Sequence, residues 1–328
     1  LLNRVLVWSS TVTKVVSETH RVAPHLMNDS IWKKFPDPAL LDFGVDGSGT
    51  GYRLEKMGGV VLMRPLPSTT ASQHQPELWE KAHAVFKESR RGHGTWDFLK
   101  PPPDPWHIEI QLPSGSLCLN VRPAPSGQVG IFLEQASQWR WLSEKTKKGS
   151  RVLSLFAHSG AATLALAQAG AEVVHVDSSR QSIQLARRNA AASHLDDASI
   201  RWICEDAQRF VARERNRGNQ YDGFVLDPPS WGHGPKGEAF SIDKHLVPLL
   251  ADCGQLLSPT AHGPVLLTAH SPGWHHQQLA TALTSTLQAT PSKLLPIFSG
   301  PLSCTDLHGR KLNLGGFARS SGIRDTSQ

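Results

Sequence analysis

Carboxylates stand at the places where the sequence predicts that strands end. Asp177, Asp206 and Asp227 each follow a short apolar run, and these runs alternate with helical stretches. Because ligands of a parallel sheet collect at the carboxyl ends of its strands, the three side chains are expected at one edge. Asp177, with Ser178 beside it, is placed to accept hydrogen bonds from ribose hydroxyls. Asp206, with Ala207 beside it, can accept one from an adenine amine.

The turn before these aspartates carries a single glycine. It runs Ala157-His158-Ser159-Gly160, and Gly160 lets the backbone approach a ligand at which the next helix points its N–H groups. A dinucleotide site requires GxGxxG and a P-loop requires GxxxxGK[ST], and this turn has neither pattern. The expected ligand is therefore an adenosine without pyrophosphate. This favours S-adenosylmethionine and methyl transfer over a dehydrogenase.

Each of these residues also has a purely structural explanation. A lone glycine after a strand is commonly a turn. Asp177, Ser178 or Ser179 could cap one helix, and Asp206 could cap the next. Their occurrence at consecutive strand ends favours a binding site.

Strands and helices alternate from residue 151 onward. Strands are predicted at 152–156, 172–176, 200–204, 221–226 and 265–269, and helices at 161–169, 179–193, 207–217, 244–257 and 274–287. This alternation predicts an α/β fold with a parallel, doubly wound sheet. We assign it to a domain of residues 128–328.

The amino-terminal part has a different pattern. Residues 40–127 predict a strand-rich, substrate-recognising module with helical spacing at 78–88. Residues 1–39 form a basic arm whose composition fits the remnant of an organelle transit segment and fits a plain arm equally well. The expected location is the cytoplasm, with the mitochondrial matrix or plastid stroma as alternatives.

Composition excludes several classes of protein. Of the 328 residues 39% are hydrophobic, which excludes a disordered chain. No apolar run reaches the roughly 18–20 residues that span a bilayer. The four cysteines lack CxxC spacing and the 16 histidines lack HExxH spacing, so no metal site is expected. A net charge of +6 permits a polyanionic partner without requiring one.

Four stretches resemble a known family. Residues 155–195 resemble the cofactor region of class I S-adenosylmethionine-dependent methyltransferases. Residues 200–238 resemble more closely the bacterial methyltransferases related to the 23S rRNA cytosine-C5 and guanine-N7 enzymes, and so do residues 130–142 and 309–319. The resemblance covers about residues 40–319. It implies a seven-stranded, Rossmann-like methyltransferase sheet with the last strand antiparallel. It also implies cofactor contacts at Phe132, Gln135, 157–160, Asp177, Asp206 and Asp227.

The run Asp227-Pro228-Pro229-Ser230 is expected to carry the catalysis. Asp227 and the Pro228 carbonyl can accept hydrogen bonds from a base amine, and Pro229 and Trp231 can stack on the base. Trp231 could equally be a core or lid residue. Lys236 is expected either to bind phosphate or to be solvated. His270 is expected either to relay a proton or only to form hydrogen bonds.

Cysteine placement bears on the methyl acceptor. Cytosine-C5 enzymes of this type place a nucleophilic cysteine near the end of the fifth strand, where this chain has Thr268-Ala269-His270-Ser271. Cys204, Cys253 and Cys304 are predicted to be small core residues. A nitrogen acceptor is therefore favoured, on a base of large-subunit ribosomal RNA.

The predicted RNA-docking groups are Trp96 and Trp106 of the module, together with arginines on helix faces. For the arginines between 209 and 217, a solvated face is the favoured alternative. Two other functions stay open: methyl transfer to a protein or small molecule, and an RNA-binding module without turnover. Nothing in the sequence indicates an oligomeric state.

Overall fold

The computed structural model describes residues 30–90, 92–233, 239–288 and 296–321. The chain divides into two units, residues 1–34 and 35–328. Of the first unit, the structure describes the short helix α1 (Ser30–Lys33). Most of the predicted arm, residues 1–29, lies outside the described residues. None of the described helices has both the length and the apolar composition that a membrane crossing requires.

The second unit begins with a five-stranded sheet in the order β1-β2-β3-β4-β5. Its neighbours pair antiparallel, except for the parallel pair β3 and β4. A separate hairpin, β6 and β7, follows it. The elements of this part are β1 (Ala39–Val45), β2 (Gly51–Met57), β3 (Val60–Pro65), α2 (Pro76–Trp79), β4 (Ala84–Arg90), β5 (His93–Phe98), β6 (His107–Leu112) and β7 (Gly115–Asn120).

The predicted helical spacing at residues 78–88 is wrong for most of that stretch. Helix α2 ends at Trp79, and residues 84–90 form strand β4. The buried positions Ala84 and Phe86 alternate with less buried ones, which is the period of a strand. Pairing with β3 on one side and β5 on the other satisfies this backbone and overrides the local helical pattern.

The remaining chain forms a seven-stranded sheet in the order β10-β9-β8-β11-β14-β16-β15. The first five strands in this order are parallel, and β16 runs antiparallel to β14. The predicted doubly wound sheet and its antiparallel last strand are confirmed. Its strands are β8 (Arg151–Leu155), β9 (Glu172–Asp177), β10 (Ile200–Cys204), β11 (Gly223–Leu226), β14 (Val265–Ala269), β15 (Phe298–Thr305) and β16 (Lys311–Ser320). A two-stranded ribbon, β12 (Trp231–His233) and β13 (Ala239–Ser241), stands apart from it.

Helices pack on both faces of this sheet because successive strand residues point to opposite sides. Val152 and Val173 belong to one core, whereas Leu153 and Val174 belong to a second. The first core includes residues of α3 and α4, and the second includes residues of α6, α7 and α8. The helices are α3 (Ala136–Lys145), α4 (Ala161–Gln168), α5 (Arg180–Ala192), α6 (Ala207–Asn216), α7 (Ile242–Gln255) and α8 (His276–Gln288). A single 3-10 turn, Leu133–Gln135, precedes α3.

The turn between β15 and β16 is fastened to the five-stranded sheet by Arg310. Its guanidinium donates hydrogen bonds to Asp42, to the carbonyls of Phe43 and Ser72, and to Asp306. The Asp42 and Asp306 side chains are buried, so Arg310 compensates two carboxylates that have left water. This clamp joins the amino-terminal strands to the sheet that carries the candidate site.

Candidate active site

The loop after β8 has an unusual backbone. Phe156 has φ 53°, His158 φ 44° and Gly160 φ 82°, so three of five consecutive residues are in the left-handed region. For a non-glycine residue this costs on the order of 1–3 kcal/mol, and such strain clusters where ligands bind. Gly160 directly precedes α4, and a Cβ built on it would lie 2.9 Å from the Cβ of Ala186 in α5. The loop is thus packed closely against α5.

Asp177, the last residue of β9, holds this loop in place. Its Oδ2 accepts a hydrogen bond from the backbone N–H of His158 at 2.8 Å, and its Oδ1 accepts one from Ser179 at 2.9 Å. The cap of α5 is Ser179, whose Oγ accepts from the N–H of Ser182. The capping alternative therefore applies to Ser179. A carboxylate has about four acceptor positions, so Asp177 keeps two for ribose hydroxyls.

Asp206 is the cap of α6, as its structural alternative predicted. Its Oδ1 accepts from the backbone N–H of Arg209 at 3.0 Å, and the residue is buried. The neighbouring Glu205 forms an ion pair with Arg213 at 2.6 Å. Capping engages one oxygen of Asp206 and leaves acceptor positions for a ligand amine, so the two roles are compatible.

Two clefts lie at the carboxyl edge of the sheet, and Phe156 lines both of them. The first is lined by residues that include Phe132, Gln135, Ala157, His158, Ser159, Asp227 and Thr268. The second is lined by residues that include Asp177, Ser178, Asp206, Ala207, Pro229 and Phe240. The structure thus brings the predicted cofactor-binding residues to one edge. The predicted contact Gly160 is the N-cap residue of α4 and does not line either cleft.

A hydrogen-bonded row lies along the first cleft, from the 3-10 turn before α3 to the residue that follows β11. The buried Gln135 donates from Nε2 to Thr268 Oγ1 at 3.1 Å, and Thr268 donates to Asp227 Oδ1 at 2.6 Å. Phe132 stands beside this row, with its ring centroid 5.8 Å from that of His158 and 5.6 Å from that of His270. Asp227 is therefore fixed in position by residues of two other elements.

The run after β11 changes from buried to exposed along its length. Pro228 is buried, whereas Pro229 and Ser230 are exposed, and Ser230 Oγ lies 2.8 Å from Ser271 Oγ. Trp231 is 60% exposed, so the alternative of a core residue is wrong. Lys236 lies outside the described residues. The exposed part of this run can therefore meet a bulky substrate.

His270 lies between two carboxylates, one of which the sequence did not point out. Its Nε2 is 3.1 Å from Glu134 Oε1, and its Nδ1 is 3.7 Å from Asp227 Oδ1. Burial lowers the pKa of His270, but hydrogen bonds and charges of Asp227 and Glu134 outweigh it and raise the pKa to about 10. The ring is then protonated at neutral pH and cannot accept a proton, which disfavours the relay interpretation.

The electrostatics of Asp227 complement this arrangement. Burial by itself raises the pKa of this carboxyl, but the hydrogen bond and charge of His270, with the Thr268 hydroxyl and His158, bring it below its ordinary value. Asp227 is therefore an ionised hydrogen-bond acceptor at neutral pH.

Residues 80–273 match the protein family described as S-adenosylmethionine-dependent methyltransferase, which is more than half of the chain. The chain belongs to this family. The chain is 30% identical over 226 residues to the ribosomal RNA large subunit methyltransferase I of Aeromonas hydrophila, an alignment covering 67% of this chain and 55% of that protein.

The chain is also similar to a second curated protein and to a solved structure. It is 34% identical over 133 residues to the ribosomal RNA large subunit methyltransferase K/L of Shewanella baltica, covering 40% of this chain and 18% of that protein. The chain thus spans about half the length of the first curated relative and less of the second. A crystal structure of the SAM-dependent methyltransferase from Agrobacterium tumefaciens superposes with a TM-score of 0.77 at 32% identity, covering 87% of this chain and 90% of that one.

The cysteines of the chain differ in how far they are buried. Cys253 is buried in α7, as predicted for a core residue, whereas Cys204 is exposed and Cys304 is partly buried. The prediction for Cys204 is wrong because it ends β10, which is an edge strand of the sheet. Burial, with the nearby Glu134 and Glu55, raises the pKa of the Cys304 thiol to about 12. Cys304 is therefore a thiol, not a thiolate, at neutral pH.

The predicted RNA-docking tryptophans are not exposed platforms. Trp106 is buried and donates from Nε1 to the Met57 carbonyl at 2.8 Å, and the partly buried Trp96 donates to the Ala124 carbonyl at 3.0 Å. Both rings pack in an aromatic row with Phe86 and Phe98, so the prediction for Trp106 is wrong. Hydrophobic burial, and not RNA, accounts for the presence of Trp106.

The arginines of α6 also have protein partners. Arg213 pairs with Glu205, Arg215 with Asp252, and Arg217 with Glu214. The three arginine side chains are 37%, 36% and 54% exposed, which agrees with the favoured alternative of a solvated helix face. Among the described residues, no cluster of three or more His, Cys, Asp or Glu is arranged to hold a metal ion.

Proposed function

We propose that this chain uses S-adenosylmethionine to methylate a nitrogen of an RNA base, in large-subunit ribosomal RNA. The donors and acceptors of the two clefts fit the cofactor. Asp177 keeps free acceptor positions for ribose hydroxyls, Asp206 keeps one for an adenine amine, and Phe156 and Phe240 offer apolar surface between them. When bound, the cofactor supplies a methyl group on a positively charged sulfur.

Asp227 is the observation that carries the proposed chemistry. An amine nitrogen that gains a methyl group must lose a proton, and its lone pair must be directed at the methyl group within about 3–3.5 Å. As an ionised acceptor, Asp227 can orient the amine through its N–H and then take the proton. The side chain is 36% exposed, which gives the proton a route to water.

The cysteine environments support nitrogen over carbon as the acceptor. Methylation at cytosine C5 requires a thiolate that attacks C6. The end of β14 carries Ala269 and His270, and the partly buried Cys304 is held as a thiol by its raised pKa. Nitrogen already has a lone pair, so orientation and exclusion of water are sufficient.

The RNA assignment is supported by the relatives and by exposed groups near Asp227. Both curated relatives are named as ribosomal RNA methyltransferases. Pro229 and the 60% exposed Trp231 can contact the face of a splayed base, as RNA-binding proteins commonly do. We propose residues 40–127 as a substrate-recognising module and Lys236 as a phosphate contact.

Transfer of a tritiated methyl group to total RNA tests this function. We expect RNase-sensitive label with the wild type, retained cofactor binding in D227A, and at least about 100-fold slower transfer by that variant. The matched control is D197A, which removes an exposed carboxylate after α5. RNase-resistant label would indicate a protein or small-molecule acceptor. Absence of label with the wild type would favour an RNA-binding module.

A further inference from the structure

Glu134 and Asp227 lie on opposite sides of the His270 ring and come from different elements. Glu134 belongs to the 3-10 turn before α3, His270 follows β14, and Asp227 follows β11. Glu134 is only 4% exposed, and its Oε1 lies 3.1 Å from Nε2 of the ring. A buried carboxylate is costly unless it is paired and hydrogen-bonded, so this contact favours a positive charge on the ring.

Other titratable groups surround the side chains of Glu134, His270 and Asp227. His158 of the loop after β8 contributes a favourable charge to Asp227. On the far side, Glu134 interacts electrostatically with Arg53 of β2 and with Cys304 of β15. Strand β16 contributes Gly315, where an added Cβ would lie 3.3 Å from the Cδ2 of His270. Among the described residues, the two carboxylates are the groups that form ion pairs with the ring nitrogens.

We propose that Glu134 is a positioning residue that holds His270 as an imidazolium against Asp227, so that Asp227 meets the methyl acceptor as an ionised carboxylate. The inference rests on the proposed function for its catalytic consequence, but the charge state of His270 is independent of it. With both ring nitrogens protonated, His270 donates a hydrogen bond to Glu134 and places its positive charge 3.7 Å from Asp227 Oδ1, which stabilises the ionised carboxylate. Asp227 is then an acceptor only, which selects an N–H group of the substrate over a carbonyl.

An NMR pH titration of the histidine ring signals in the nitrogen-15-labelled protein tests the charge state directly. The signal of His270 is assigned by its loss in H270N. In the wild type we expect it to remain imidazolium through pH 8.5, in keeping with a pKa near 10. In E134Q we expect its pKa to fall by at least about one unit, a tenfold change in the protonation equilibrium. The control E144Q makes the same change at an exposed carboxylate of α3 and should leave the signal unchanged.

A wild-type His270 that titrates between pH 6 and 7 would overturn the proposal without any variant. An unchanged pKa in a folded E134Q would overturn the role of Glu134. E134D, which keeps the charge, should preserve much of the raised pKa and covers the case in which E134Q does not fold. Thermal melting identifies that case.

The pH profile of methyl transfer provides the second measurement. E134Q should lose activity on the alkaline side of the profile, because His270 deprotonates at a lower pH and its ion pair with Asp227 is then lost. H270N should lose activity on the acid side, because Asp227 protonates more readily without the imidazolium. Wild-type protein that transfers no methyl group to RNA would contradict the proposed function, while the ring titration would still decide the charge state.

Discussion

Asp177 accepts the backbone N–H of His158 at 2.8 Å and thereby joins the end of β9 to the loop after β8. The same carboxylate accepts the N–H of Ser179 through its other oxygen. The residue that we propose as the ribose contact thus also supports a loop whose backbone is strained at Phe156 and His158. We therefore expect cofactor binding and loop geometry to be coupled through this side chain.

Replacing Asp177 by alanine should weaken cofactor binding by about 2–3 kcal/mol, because hydrogen bonds from two ribose hydroxyls to a charged acceptor are lost. Calorimetric titration with S-adenosylmethionine and with its demethylated product measures the change. D197A at an exposed site after α5 is the control and should bind as the wild type does. Equal affinities for D177A and the wild type would exclude Asp177 from the binding site.

The strand-end aspartates could be predicted because parallel strands place their carboxyl ends at one edge whatever the details of packing. For the five strands and five helices predicted between residues 152 and 287, the predicted and observed bounds agree within two residues. Here the hydrophobic pattern and the local preferences indicate the same elements, so tertiary contacts reinforce what each segment favours alone.

Other features depend on contacts between distant parts of the chain. Glu134 has its proposed role through His270, which is 136 positions away, so its place beside the predicted contact Gln135 does not by itself indicate that role. Trp106 packs in a hydrophobic core, and its buried indole N–H is satisfied by the Met57 carbonyl, 49 positions away. The strand at residues 84–90 likewise requires partners on both sides, and its local sequence alone is compatible with a helix.

Replacing Gly160 by alanine should lower stability by about 2 kcal/mol or more and weaken cofactor binding. The residue has φ 82°, and the new Cβ would lie 2.9 Å from that of Ala186. G149A separates the effect of the positive φ from that of the contact with Ala186, because Gly149 has φ 81° with nothing within 4 Å of its added Cβ. This variant should lose only the stability that the left-handed backbone costs a residue with a Cβ, about 1–2 kcal/mol. Urea unfolding measures both variants, and equal losses would mean that contact with α5 is unimportant.

Replacing Arg310 by methionine should lower the free energy of unfolding by about 3–5 kcal/mol, because Asp42 and Asp306 are left buried without their cation. The contrasting variant is R215A, which breaks an ion pair with Asp252 whose side chains are about one-third exposed. That change should cost about 1 kcal/mol or less. Chemical denaturation compares the two, and a similar small loss in both would argue against the clamp between the amino-terminal sheet and the β15–β16 turn.

Because a nitrogen acceptor needs no covalent activation, we predict that no covalent enzyme–RNA adduct forms. A carbon acceptor at cytosine C5 needs a thiolate, and RNA containing 5-fluorocytosine would trap the resulting adduct. The partly buried Cys304 has a pKa raised to about 12, so its thiolate is scarce at neutral pH. We therefore expect C304A to retain methyl transfer within about twofold, whereas D227A loses most of it. Gel mobility of the protein after incubation with 5-fluorocytosine RNA and cofactor detects trapping. A shifted band that disappears in C304A would identify Cys304 as the nucleophile and indicate a carbon acceptor instead of nitrogen. Mass spectrometry of digested RNA would then show a C5-methylated cytidine in place of an N-methylated nucleoside.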